Sequence, residues 1–108
     1  MDEERMRREA EGIAKNLEMK GYKTSVRRSV IMNLVGEKKV KYSVLAVKGE
    51  NVVRWNVGEE HYEVSIRLSK EVDEVEMESK GYIVEKDGEY TRLFKRSKKP
   101  FHFMNEVP

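Results

Sequence analysis

The chain has 108 residues, enough for one hydrophobic core and too few for two. It has no cysteine, which excludes a disulfide framework, a thiolate nucleophile and a cysteine-built zinc site. It has no apolar run of about 18 residues and starts on the charged segment MDEERMRREAEG, so the expectation is a cytoplasmic protein with no membrane partner.

Charged residues make up 39% of the sequence, with 13 lysines and 17 glutamates against 3 aspartates and no glutamine, a composition of hyperthermophile type. The net charge of +2 hides a block pattern. Residues 1–20 carry −1, 21–48 carry +6, 49–89 carry −7 and 90–108 carry +4. Solvated ion-pair networks in such a chain would produce part of this pattern without any ligand.

In chain order, Met6, Ala10, Ile13, Ala14 and Leu17 recur at three- and four-residue spacing and predict an amphipathic helix from Glu3 to Lys20, stopped by Gly21. Five strand-like runs follow, at 22–28, 30–35, 40–48, 52–57 and 62–68, separated by short breaks that suit antiparallel neighbours. The third, around Val44, Leu45, Ala46 and Val47, reads as a central strand covered on both faces; the fifth alternates strictly and reads as having one wet face. Ser69 is the expected N-cap of a second helix running to Lys80, with Leu68, Val72 and Val75 inward and a strongly acidic outer face. Asp87-Gly88 signals a type I′ hairpin between Tyr82–Glu85 and Tyr90–Phe94.

The expected fold is therefore α+β: an N-terminal amphipathic helix, a mostly antiparallel sheet of about five strands, a second helix and a C-terminal β-hairpin. Residues 1–96 form one domain and 97–108 a tail or docking arm, with Phe101-His102-Phe103-Met104 able to dock on a partner or cover the sheet. The segments LEMKGYKTSV and EMESKGYIVE share a helix-Lys-Gly-Tyr-strand junction, which reads as convergence because Lys-Gly-aromatic is a common way to leave a helix.

Catalytic signatures are missing from the sequence: no serine-histidine-acid set, glycine-rich phosphate loop or histidine-rich metal spacing occurs. His61, beside Glu59, Glu60 and Glu63, reads as a surface histidine paired with carboxylates, and His102, between two phenylalanines, as a stacking or docking residue. No catalytic residue, cofactor or metal is expected.

Over residues 10–50, the helix ending in LEMKGYKTSVRRS and the following VIMNLVGEKKVKYSVLAVKGE resemble the α-β-β-β core of restriction-endonuclease-like nucleases, particularly archaeal Holliday junction resolvases. That resemblance places the family's metal-site aspartate on Asn33, its glutamate on Ala46 and its lysine on Lys48. It thus implies a degenerate core without the carboxylates that hold Mg²⁺, unless Glu11 and Glu50 act as relocated ligands.

The basic blocks supply the nucleic-acid-binding candidates: Arg27, Arg28, Lys38, Lys39, Lys41 and Lys48 on the first strands, and Lys95, Arg96, Lys98 and Lys99 after the hairpin. The functional expectation is a non-catalytic domain that binds DNA or RNA. Trp55, Tyr42, Phe101 and Phe103 are candidates to stack on bases, and core packing is the competing reading of Trp55. The alternatives are a protein-interaction module, homodimeric or accessory, in which a basic segment meets an acidic helix, and a metal-dependent nuclease with relocated ligands.

Overall fold

The computed structural model describes residues 2–108. Helix α1 spans Glu3–Met19 and begins where the Asp2 carboxylate accepts the Arg5 N–H at 2.8 Å, with Glu3 and Glu4 at its positive end. Its apolar stripe, Met6, Ala10, Ala14 and Leu17, is buried. The helix stops at Gly21, whose φ of +94° is a conformation that a Cβ would strain.

Four strands follow, β1 (Lys23–Met32), β2 (Lys38–Lys48), β3 (Asn51–Gly58) and β4 (Tyr62–Leu68), then helix α2 (Glu74–Ser79), strands β5 (Ile83–Asp87) and β6 (Tyr90–Ser97), and a 3₁₀ turn at Met104–Glu106. The strands form one six-stranded sheet in the order β1-β2-β3-β4-β6-β5, every pair antiparallel. The first four make a meander. The chain then crosses through α2, reaches the far edge as β5 and turns back to lay β6 beside β4.

The α+β class and element order agree with the sequence, and several details differ. The runs at 22–28 and 30–35 merge into one strand, because the polar pair Arg28-Ser29 contains neither Gly nor Pro and the ladder passes through it unbroken, and that strand ends at Met32, with Asn33, Leu34 and Val35 in the following turn. The C-terminal hairpin belongs to the same sheet. Helix α2 is capped by Asp73, which accepts the Glu76 N–H at 3.1 Å; Ser69 instead hydrogen-bonds Asn51, and Thr91 Oγ1 donates to the Lys70 carbonyl, so residues 69–73 stay outside the helix. Met77, rather than Val75, is its buried residue.

Both helices and the C-terminal segment lie on one face of the sheet. There Val44, Ala46, Val53, Val57, Val64, Ile66 and Leu93 are fully enclosed beneath α1's stripe and Met77. Trp55 is packed in this core, its ring centroid 4.9 Å from Phe103 and 5.3 Å from Phe101. The terminal segment is accordingly no free arm: Phe103 and Val107 are buried, and the Glu106 carboxylate pairs with Lys80 at 2.7 Å.

The two Lys-Gly-Tyr junctions correspond in more than sequence. Gly21 and Gly81 have φ of +94° and +92°, and Tyr22 and Tyr82 donate their backbone N–H to Leu17 and Met77. In each case a lysine from a neighbouring strand closes the helix end: Lys48 Nζ reaches the Lys20 carbonyl at 2.8 Å over the Tyr22 ring, and Lys95 Nζ the Lys80 carbonyl at 2.7 Å over the Tyr82 ring.

Candidate nucleic-acid interface

Because side chains alternate across a strand and paired residues share a face, the register identifies what the helix-free face of the sheet carries. One row runs Lys23, Val47, Val52, Arg67, Arg92, Glu85 from β1 to β5; the next Ser25, Leu45, Arg54, Ser65, Phe94, Ile83; the third Arg27, Ser43, Asn56, Glu63, Arg96. Ser29 with Lys41 and Ile31 with Lys39 extend it toward the β1–β2 turn. Eight cations therefore share this face with three carboxylates, Glu63, Glu85 and Asp87.

The carboxylates sit toward the β4–β6–β5 side and are partly consumed there. Arg92 pairs with Asp87 at 3.2 Å; Glu63 is 3.0 Å from His61 and 3.8 Å from Arg96. Arg67 donates to the Glu50 carbonyl and lies over the Tyr90 ring, and Lys39 is 3.9 Å from Glu60. On the β1–β2–β3 side, by contrast, the side chains of Lys23, Arg27, Lys41 and Arg54 have no hydrogen bond or ion pair among the described residues. Two shallow grooves mark this face and share Arg54 and Asn56; the one toward β1 is lined by Ser25, Arg27, Ser29, Lys41 and Ser43. Unpaired cations interleaved with hydroxyl groups leave a set of hydrogen-bond donors open to solvent on this part of the face.

Of the sequence candidates, Arg27, Lys39, Lys41 and Arg96 are brought together on this face. Arg28 points to the helix side, where it pairs with Glu3, an interaction that raises its own pKa and, with the Tyr42 hydroxyl, lowers that of Glu3. Lys38 is the cross-strand neighbour of Met32 on that same side. Lys48 and Lys95 close helix ends, and Lys98 and Lys99 follow β6 beyond the sheet. The sequence reading missed Lys23, Arg54, Arg67 and Arg92. Arg54 and Arg67 lie within the net acidic block, yet each alternates with buried residues on both sides, Val53 and Trp55 for one and Ile66 and Leu68 for the other. That alternation was the available signal.

The aromatic candidates Trp55, Tyr42 and Phe103 are buried and Phe101 packs against them, so none of them presents a ring on the open face; Phe94 does. Strand β2 is not covered on both sides, since Leu45 and Val47 are 37% and 39% exposed there. The positions aligned with nuclease metal residues are spread along the β1–β2 pair, Asn33 accepting turn N–H groups at one end, buried Ala46 and carbonyl-bound Lys48 near the other. Among the described residues no group of three His, Asp or Glu is arranged to hold a metal ion, and no helix is long and apolar enough to cross a membrane. Comparison of the chain with protein-family models, curated proteins and solved structures finds no match.

Proposed function

We propose that the chain is a non-catalytic nucleic-acid-binding domain that holds the phosphate backbone on the open face of its sheet. The observation that supports this most is the set of unpaired cations Lys23, Arg27, Lys41 and Arg54 on three adjacent strands, with serines between them. The acidic helix α2 stays on the opposite side, where it does not repel the ligand. Affinity arises chiefly from neutralised phosphates and released counterions, so it is insensitive to sequence and falls steeply with salt. Phe94, in the same row as Arg54, offers one exposed ring for an unpaired base.

Fluorescence anisotropy with labelled single- and double-stranded DNA and RNA at low salt tests the reading. Arg27→Ala combined with Arg54→Ala is expected to weaken binding at least tenfold, while Lys98→Ala with Lys99→Ala, off the face, changes it far less. Equal losses from the two pairs, or no binding by the unmodified chain, would remove the interface.

A further inference from the structure

The two edges of the sheet are built differently. The β5 edge is five residues long, carries Glu85, Lys86 and Asp87, and has α2 packed beside it. Charge, shortness and cover are the usual protections of an unpaired edge. The β1 edge loses these protections past Arg28, the last charged residue of the strand, which is tied to Glu3 of α1. It runs for ten residues, ends in Val30, Ile31 and Met32, and continues into Leu34 and Val35; all five side chains are exposed. The β5 edge, by comparison, exposes Ile83.

We infer that β1 pairs antiparallel with β1 of a second copy of this chain, around a two-fold axis at Ser29. The register follows from the residues. Keeping helix side with helix side and open side with open side requires partners of the same parity. A centre at Arg27 or Arg28 sets each arginine opposite its own copy, which is unfavourable. A centre at Val26 leaves Ile31 and Met32 bare, and one at Val30 sets Met32 against Arg28 and away from the groove beside Val26. Centring on Ser29 opposes Arg27 with the partner's Ile31, Arg28 with the partner's Val30 and Val26 with the partner's Met32. It also seats that methionine at the groove between α1 and β1, lined by Ala14 and Val26. The groove also carries Glu11, Lys15 and Glu18, a set of net charge −1 that then faces the cationic side chain of the partner's Lys38, the cross-strand neighbour of Met32. The result is a twelve-stranded sheet with one continuous open face. This pairing stands on the edge strand and does not depend on nucleic-acid binding.

The test uses the full chain without nucleic acid. Since the sequence has no cysteine, Ser29→Cys provides a unique thiol. Mild oxidation is expected to convert it to a covalent dimer, because directly opposed antiparallel residues have Cα atoms about 4.5–5.5 Å apart, within disulfide range. Ser25→Cys, which faces position 33 of the partner, is expected to remain largely uncrosslinked. By light scattering the unmodified chain should have twice the chain mass. Ile31→Lys, opposite Arg27 of the partner, should have the chain mass with an unchanged far-ultraviolet circular dichroism spectrum, and Ile31→Glu should stay dimeric. A monomeric unmodified chain, equal crosslinking of the two cysteine variants, or loss of the dimer in Ile31→Glu as well would each overturn the proposal.

Discussion

At the scale of single residues, two lysines that a charge count assigns to a binding surface are structural. Lys48 gives its ammonium to the Lys20 carbonyl at the end of α1 and spreads over Tyr22, while Gly21 holds the positive φ that lets the chain turn there. Lys48→Ala is expected to cost about 0.5–1.5 kcal/mol in urea unfolding, the worth of one hydrogen bond, and to leave nucleic-acid affinity nearly unchanged. Gly21→Ala should cost about 1–2 kcal/mol through backbone strain alone. At the second junction, burial raises the pKa of Tyr82 above its ordinary 10.0, and Glu106, whose carboxylate its hydroxyl faces at 3.4 Å, raises it further. A raised pKa means that only the unfolded chain sheds this proton just above pH 10, so the contribution is complete below that pH and lost as pH rises. Tyr82→Phe is thus expected to flatten the alkaline decline of melting temperature between pH 9 and 11, where about one unfolded-state proton is at issue.

At the scale of elements, helix α1, the strands and the hairpin were legible because each has a local cause: a 3.6-residue stripe, alternation, and Asp87-Gly88. The junction at Arg28-Ser29 misled because polarity resembles a break when only Gly or Pro would make one. The start of α2 was misplaced because Ser69 and Asp73 are both good caps, and the choice rests on Asn51 and Thr91, distant partners that sequence spacing does not show. The terminal segment was ambiguous for the same reason, since Phe101-His102-Phe103 is apolar enough to dock anywhere. Its place against Trp55 makes it part of the core. Phe103→Ala is therefore expected to destabilise the fold by about 3–5 kcal/mol in equilibrium denaturation, far more than a loose arm would.

For the candidate site, the sequence offered the sign of the charge and not its direction. Adjacent residues on a strand face opposite ways, so Arg27 and Arg28 are separated by the thickness of the sheet although they are neighbours in the chain. Conversely, Arg54 and Arg27 share a face from strands two apart in the sheet, a proximity that depends on the register of β1, β2 and β3.

At the scale of the whole molecule, one side of the sheet stabilises and the other is exposed. The helices, the aromatic cluster and the terminal turn cover one face of the sheet. The other is left open, and there Lys23, Arg27, Lys41 and Arg54 meet no carboxylate among the described residues. Paired cations contribute little to phosphate binding because their partners must be displaced, so the unpaired group should dominate.

Salt dependence measures that group directly. Binding to duplex DNA between about 50 and 200 mM salt should give a logarithmic slope that becomes shallower by about 2.7 when Arg27, Lys41 and Arg54 are all replaced by alanine, about 0.9 for each phosphate contact removed. An unchanged slope in the triple variant, with its fold intact by circular dichroism, would contradict the assignment of the open face as the binding surface.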